Sequence, residues 1–180
     1  MAAVLANHGF ERISFADAIR DALYTLDPYV TEGSGLRLST LVDTLGWDAV
    51  KVQYPEVRRL LQVFGTEVAR EQWDDQFWVN LGFSKMRPEG RYVITDVRFP
   101  NEAEAVKQHG GELWRVDRPG IGPVNNHASD NHISQIEVDA VVKNDKSLDD
   151  LRPEVDRLWA NSFVNNRLTE ILAEPLTPAP

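Results

Sequence analysis

An acidic and a basic residue lie next to the end of a predicted strand. Tyr92 to Thr95 is β-branched or aromatic throughout and follows a Pro-Glu-Gly turn, which is typical of a short strand buried on both faces. Asp96 comes directly after it and Arg98 two residues later. Ligands of open α/β sheets bind outside the carboxyl ends of the strands. A carboxylate there can hold Mg²⁺ or its water, and a guanidinium can bind two phosphate oxygens. The pair therefore predicts a phosphate site that uses magnesium, although a surface ion pair at a strand-helix turn fits the spacing equally well.

Other residues could reach the same ligand. Four arginines lie on helices that would flank the sheet, and each could bind an anion or simply be a solvated helix residue: they are Arg20, Arg58, Arg59 and Arg70. Three aromatic residues could stack on a nucleobase or fill the core: they are Trp73, Phe77 and Trp78.

A loop rich in Gly, Pro and Asn follows the strand predicted over Glu112 to Val116, and its composition suits a lid. Arg115 and Arg118 flank this loop, where a closing lid would bring positive charge onto a transferring phosphoryl group. A charged strand edge would explain the same two residues. Of the four histidines, only His127 and His132 are close in sequence, so we do not expect a zinc site.

The remaining pattern alternates strands with helices. Strands are predicted over residues 10–15, 92–95, 112–116 and 138–142, and helices over 16–27, 37–45, 54–70, 73–85, 100–108 and 147–159. Such alternation predicts an α/β fold with a parallel sheet covered by helices on both sides. We expect one domain over residues 1–160, followed by a last helical piece and a Pro-rich tail over 161–180.

Composition narrows the choice of partners. The 180 residues carry a formal charge of −9, which disfavours binding a nucleic-acid polymer through its phosphates. The sequence contains no cysteine, hence no disulfide, thiolate metal site or thiol nucleophile. No apolar run approaches the roughly 18 residues of a membrane span, and the amino terminus lacks a secretion signal pattern. We therefore expect a soluble, unsecreted protein, and the composition still allows a small anionic ligand in a local basic pocket.

Five segments together resemble the deoxynucleoside monophosphate kinases of the bacteriophage type. They occur in the family's order and cover nearly the whole chain up to about Trp159: Phe15 to Asp17, Leu61 to Arg70, Asp96 to Glu104, His127 to Asp130 and Asp139 to Asn144. The Gly-Thr-Glu and Asp-Val-Arg-Phe-Pro-Asn-Glu motifs are specific in combination. The resemblance implies a P-loop, three-layer α/β/α fold that transfers the γ-phosphoryl group of ATP, with Mg²⁺, to a deoxynucleoside 5′-monophosphate. It also implies a cytoplasmic location, that of the host if a phage encodes the chain, and a possible homodimer.

The resemblance also implies roles for individual residues. Asp96 would organise Mg²⁺ through water, and Arg98 and Arg70 would clamp the acceptor phosphate. Arg118 would be a lid arginine. The remaining expected contacts to the acceptor nucleotide come from residues of three other segments and the helix after Asp96: they are Phe15, Asp17, Arg20, Gly65, Thr66, Glu67, Trp78 and Glu102. No covalent nucleophile is expected, since phosphoryl transfer depends mostly on positioning and charge neutralisation.

One feature of the family is missing from the sequence. Such kinases open with a strand and a Gly-x-x-x-x-Gly-Lys loop that cradles the donor phosphates, and neither is found here. Met1 to Phe10 instead resembles the stretch just after that loop. Either the start was placed too late, which we favour and which predicts an upstream Gly-rich Lys loop, or the chain cannot hold ATP in the usual way. In both cases we expect weak or absent kinase activity from this polypeptide, and sheet strands with unpaired edges.

Two alternative functions remain open. The segment from Asp139 to Leu151 also resembles dephospho-coenzyme A kinases. A protein that binds nucleotides without catalysis would account for the missing loop.

Overall fold

The computed structural model describes residues 1–31, 35–120, 133 and 135–173, with only the backbone considered over 165–173. Several predicted features lie outside the described residues: the Pro-rich tail after residue 174, most of the loop predicted as a lid, and the segment that contains His127 and His132.

The chain order alternates strands with helices, as predicted. Short helices Ala2–Leu5 (α1) and Ala6–His8 (a 3-10 helix) precede β1, and the further elements follow in this order: β1 (Phe10–Ile13), α2 (Phe15–Leu26), α3 (Leu38–Gln53), α4 (Pro55–Gln62), a π-helix (Val63–Trp73), α5 (Phe77–Ser84), β2 (Arg91–Ile94), α6 (Pro100–Gln108), β3 (Trp114–Asp117), β4 (Ala140–Lys143) and α7 (Leu148–Ala173). The two helical pieces expected on either side of residue 160 form the single helix α7.

The strands form two separate parallel pairs. In one, β1 pairs with β2 and Phe10 lies opposite Arg91; in the other, β3 pairs with β4 and Trp114 lies opposite Ala140. The predicted parallel strands are thus present but divided into two pairs, because no strand of the described residues joins β2 to β3. The edges of β2 and β3 that face away from their partners are unpaired within this part of the chain, as the sequence led us to expect.

Helices cover both faces of the paired strands. On one face α1 and α7 pack against the strands through Val4, Val93, Val142 and Val155. On the other face α6 contributes Ala103 and Val106 to a second apolar cluster, which also contains Leu113 just before β3. A third cluster joins α2, α3 and α4 beside the sheets. The layers are thus helix, strand and helix, with the carboxyl ends of β1 and β2 next to the start of α2 and α6.

Local sequence signals set several element ends. Pro100 is the first residue of α6 and Gly110, with φ of 74°, follows its end, as the sequence predicts. Ser147 caps α7, its hydroxyl accepting the Asp150 N–H at 3.3 Å. The strand predicted to be buried on both faces is only partly so, because Val93 is buried whereas Tyr92 and Ile94 are half-buried. No helix formed by the described residues could span a membrane.

Candidate functional site

Asp96 is bound by the amino terminus of α2. One carboxylate oxygen accepts the Phe15 N–H at 3.0 Å, and the other accepts the Ser14 hydroxyl at 2.6 Å and the Ala16 N–H at 2.9 Å. The first N–H groups of a helix lack partners within the helix, and its dipole favours a negative charge at this end. Asp96 therefore caps α2 across the junction between β1 and β2 and fixes the carboxyl ends of both strands relative to that helix.

Asp17, in the first turn of α2, lies between two arginines. Arg20 Nη1 donates to Asp17 Oδ1 at 2.6 Å and Arg12 Nη1 donates to Oδ2 at 3.2 Å. The same two cations help to lower the pKa of the exposed Asp48 on α3, whose shift is caused first by its hydrogen bond from Lys51. Two guanidinium groups thus share the single Asp17 carboxylate, so this cluster carries more positive than negative charge.

Glu102 and Arg70 form a buried ion pair. Their side chains are only 6% and 10% exposed, and Arg70 Nη1 donates to Glu102 Oε1 at 2.9 Å. Arg70 Nη2 donates to Asn101 Oδ1 at 2.7 Å, and the guanidinium carbon lies 3.9 Å from the centroid of the Phe99 ring. Arg70 is thus engaged on several sides, and this differs from the expected role as a clamp on the acceptor phosphate.

The other Glu102 oxygen fixes the backbone before α6. It accepts the Arg98 N–H at 2.7 Å and the Phe99 N–H at 3.1 Å. Burial raises the pKa of Glu102, while these two amides and Arg70 act in the opposite direction and Asp96 adds to the rise. The expected contact of Glu102 with a base or sugar is therefore not supported, since its oxygens serve the loop that carries Arg98.

Arg98 and Arg118 contrast with Arg70. Both are exposed, and neither guanidinium has a hydrogen bond or ion pair with the described part of the chain. Arg98 follows β2 and Arg118 follows β3, so each lies just beyond the end of a strand. Both cations consequently lie at the carboxyl ends of strands, where the sequence analysis expected a phosphate.

Three expected contacts are instead part of the core. Phe15 and Trp78 are 3% and 2% exposed, and Trp78 Nε1 donates to the Gly65 carbonyl at 2.8 Å. A Cβ at Gly65 would lie 2.9 Å from Ile19 Cδ1, so the missing side chain makes room for α2 rather than for a ligand. The three residues thus have a role in the core, and their expected contacts with the acceptor stay predictions. In the same segment Thr66 is half-buried and Glu67 is exposed.

The segment that contains Gly65, Thr66 and Glu67 forms a π-helix over Val63–Trp73. The sequence analysis predicted a helix over residues 54–70 without distinguishing this form. π-helices are rare and often lie at functional sites. Two other residues were not assigned a role from sequence: Ser14 and Asn101. Ser14 occupies the N-cap position before α2, and a serine there could have indicated the start of the helix, although its hydroxyl donates to Asp96 instead of accepting a helix N–H.

Comparisons with known proteins find matches over more than half of the chain. The sequence profile of deoxynucleotide monophosphate kinase matches residues 42–155, well over half of the chain. The chain belongs to the deoxynucleotide monophosphate kinase family. It is 31% identical over 113 residues to a putative deoxynucleotide monophosphate kinase of Acanthamoeba polyphaga mimivirus, covering 54% of this chain and 58% of the relative. It is 31% identical over 107 residues to the deoxynucleotide monophosphate kinase of Escherichia phage RB69, covering 57% and 44%.

A third deoxynucleotide monophosphate kinase, from Enterobacteria phage T4, is 30% identical over 100 residues, covering 53% of this chain and 42% of the relative. The chain spans about half the length of the curated relatives that it matches. The part that matches the kinase family contains Arg70, Asp96, Arg98 and Arg118, whereas α2 with Asp17 lies before it.

The described residues hold no cluster of three or more His, Cys, Asp or Glu side chains that could bind a metal directly. Asp96 has two oxygens with about four acceptor positions, and three are used by Ser14 and α2. What remains suits one hydrogen bond, for example from a water molecule. Asp96 therefore fits a contact with Mg²⁺ through water, and this role, which the sequence analysis expected, stays a prediction.

Proposed function

We propose that this chain provides the acceptor site of a deoxynucleoside monophosphate kinase. In the proposed reaction an oxygen of the acceptor 5′-phosphate attacks the γ-phosphorus of ATP, the bond to the β-phosphate oxygen breaks, and the products are ADP and a deoxynucleoside diphosphate. Membership of the family supports this reaction class.

The observation that carries the proposal is the position of Arg98. Its backbone N–H is held by Glu102, and its guanidinium is exposed at the carboxyl end of β2 without a partner among the described residues. A guanidinium can donate two parallel hydrogen bonds to phosphate oxygens. In our proposal Arg98 binds the acceptor phosphate, and the buried pair behind it holds the loop in the required position.

Other residues have supporting roles in this proposal. Arg20 and Asp17 lie beside the start of α2, where Arg20 could share its donors between Asp17 and a phosphate. Thr66 and Glu67 contact the sugar or base, and Arg118 approaches the transferred group from the end of β3. Mg²⁺ that accompanies ATP neutralises phosphate charge, and Asp96 would hold it through water.

Binding of monophosphates tests the proposal most directly. Each deoxynucleoside monophosphate is titrated into the protein by calorimetry, with the corresponding nucleoside as a control that lacks the phosphate. We expect a monophosphate to bind and its nucleoside to bind far more weakly. Arg98→Ala should weaken the binding, whereas Arg152→Ala, which removes an exposed arginine on α7, should not. Equal binding of nucleoside and nucleotide would contradict the proposal.

A coupled assay of ADP release then separates the possible functions. Turnover with a deoxynucleoside monophosphate supports the kinase, and turnover with dephospho-coenzyme A would support the other enzyme that the sequence analysis considered. The comparisons name deoxynucleotide monophosphate kinases and do not favour this alternative. Binding of a monophosphate without turnover of ATP indicates a nucleotide-binding protein without catalysis.

A further inference from the structure

The side chain of Asn101 joins two segments that are far apart in the sequence. Asn101 is the second residue of α6 and lies three residues after Arg98. Its Oδ1 accepts a hydrogen bond from Arg70 Nη2 at 2.7 Å, and its Nδ2 donates to the Asp75 carbonyl at 2.9 Å. Arg70 lies in the π-helix, and Asp75 lies in the turn directly after it. Asn101 therefore binds the start of α6 to the end of the π-helix at two points.

The turn that Asn101 contacts is itself fixed by hydrogen bonds. The Asp74 N–H donates to the Ala69 carbonyl at 3.0 Å, and the Asp74 side chain accepts the Gln76 N–H at 2.9 Å. The residues on both sides of Asp75 are thus held in place. A hydrogen bond to the Asp75 carbonyl consequently fixes Asn101 relative to the π-helix.

A chain of hydrogen bonds leads from Asn101 to the backbone of Arg98. Arg70 Nη1 donates to Glu102 Oε1 at 2.9 Å, and the other Glu102 oxygen accepts the Arg98 N–H at 2.7 Å. Asn101 fixes one arm of the Arg70 guanidinium, the guanidinium fixes the carboxylate, and the carboxylate holds the backbone that presents the Arg98 side chain. Loss of the first contact would therefore loosen the last.

The two contacts of Asn101 explain why the residue is an asparagine. A guanidinium can only donate hydrogen bonds, and a carbonyl can only accept them. A side chain between Arg70 and the Asp75 carbonyl must therefore offer one acceptor and one donor, as an amide does. An aspartate would keep the acceptor but place an oxygen against the carbonyl, and an alanine would lose both contacts. The asparagine is thus accounted for without any contact to a ligand.

The segments that Asn101 joins carry different parts of the proposed acceptor site. The π-helix carries Thr66 and Glu67, to which the proposed function assigns the sugar or base, and the loop before α6 carries Arg98, to which it assigns the phosphate. Because the phosphate and sugar of a nucleotide are covalently linked, the groups that bind them must keep a fixed separation. Groups that are held in place before the ligand arrives also lose less freedom on binding.

We propose that Asn101 is a positioning residue for the binding of the acceptor phosphate. It fixes the loop that carries Arg98 relative to the π-helix, and it acts on the nucleotide through Arg98 without touching the nucleotide itself. This inference rests on the proposed function, in which Arg98 binds the phosphate, and it adds a residue from outside the set that contacts the ligand.

A double-mutant cycle separates action through Arg98 from an independent effect. Calorimetry gives the affinities for dAMP, dCMP, dGMP and dTMP of the wild type, Asn101→Ala, Arg98→Ala and the double variant. We expect Asn101→Ala to weaken binding about two- to ten-fold, which corresponds to one hydrogen bond. In the Arg98→Ala background the same substitution should have no further effect, because the group that Asn101 positions is gone. Asn80→Ala, which truncates an exposed asparagine on α5, is the matched control and should bind as the wild type does.

Amide hydrogen exchange tests the path from Asn101 without a ligand. The amides of Arg98 and Phe99, which donate to Glu102, should exchange about two- to ten-fold faster in Asn101→Ala than in the wild type. In Asn101→Asp the acceptor for Arg70 is kept, so both amides should stay protected. Unchanged exchange in Asn101→Ala would overturn the inference, and so would an equal loss of protection in both variants.

Failure of this inference and failure of the proposed function are different outcomes. If nucleotide and nucleoside bind equally to the wild type, the proposed function fails and the inference falls with it. If Arg98→Ala weakens nucleotide binding but Asn101→Ala binds as well as the wild type or better, the inference alone fails. It also fails alone if the two effects add in the double variant. A purely structural role would lower the free energy of unfolding of Asn101→Ala and leave the affinity of the folded chain unchanged.

Discussion

Arg70 and Arg98 lie at the same corner of the molecule but in opposite surroundings. Arg70 is 10% exposed and contacts Glu102, Asn101 and the Phe99 ring. Arg98 is exposed, and its guanidinium has no partner in the described part of the chain. Charge and motif alone would give both residues the same role. The comparison indicates that one arginine stabilises the loop and that the other is available to a ligand.

The two acids of the corner show a related difference. Asp96 is partly exposed and caps α2, with about one acceptor position left over. Glu102 is buried and holds Arg70 with one oxygen and the loop amides with the other. Asp96 can therefore serve both the fold and a ligand, whereas Glu102 serves the fold alone.

The largest expected effect comes from breaking the buried pair. Arg70→Met should lower the free energy of unfolding by about 3–5 kcal/mol, because Glu102 is left buried without its counter-ion. Urea denaturation measures the loss. The double variant Arg70→Met with Glu102→Gln should recover part of it, since the buried charge is removed. If Arg70→Met has the same free energy of unfolding as the wild type, the buried ion pair between Arg70 and Glu102 is contradicted. The expected role of Arg70 as a phosphate clamp would then regain support.

The next largest effect should be on binding rather than on stability. Arg98→Ala should weaken the binding of a deoxynucleoside monophosphate by about 1.5–3 kcal/mol, the range for hydrogen bonds to charged groups. Its free energy of unfolding should change by less than about 0.5 kcal/mol, as for other exposed positions. Calorimetry and urea denaturation give the two values. The comparison between the arginines fails if Arg98→Ala destabilises the fold as much as Arg70→Met does.

Asp96→Asn tests whether this acid also supports the fold. The amide has a single oxygen to accept the three donors of Ser14 and α2, so we expect a loss of about 1–3 kcal/mol in unfolding free energy. Ser14→Ala, which removes one of these donors, should cost less. Exchange of the Phe15 and Ala16 amides should be faster in Asp96→Asn than in Ser14→Ala. Unchanged exchange in both variants would show that Asp96 does not cap α2.

The smallest effect concerns pH. Burial raises the pKa of Glu102 above its ordinary value of 4.5, so the folded state holds a proton on Glu102 over a range where the unfolded state has lost it. Its contribution to stability is fully present below pH 4.5 and is lost as pH rises through the raised pKa. Glu102→Gln should flatten the fall in unfolding free energy over this range. Since other carboxyls of the chain titrate nearby, the comparison is between the two proteins: the same pH dependence in the wild type and in Glu102→Gln would contradict the burial of this carboxyl.

Much of the fold could be predicted because its signals are local. The order of strands and helices, the start of α6 at Pro100 and the cap of α7 at Ser147 each depend on a few adjacent residues. The position of Asp96 at a strand end could be predicted for the same reason.

The partners of the site residues could not be predicted, since they depend on contacts between distant segments. Arg70 and Glu102 are 32 residues apart, and Trp78 meets Gly65 across 13 residues. Aromatic and charged residues therefore appeared available for a ligand when the fold uses them itself. The separation of β2 from β3 could not be predicted either, because strand pairing depends on contacts between distant segments.

Because Val63–Trp73 is a π-helix, the position of the Arg70 side chain depends on the number of residues in this segment. A π-helix carries more residues per turn than an α-helix, where each residue turns the chain by about 100°. Arg70 lies within this π-helix and donates its hydrogen bond to Glu102 from there. Deletion of one residue upstream of Arg70 would let the segment rewind as an α-helix and carry the guanidinium round to another face. Spacing between Gly65 and Arg70 is consequently as much a determinant of this corner as the identity of either residue.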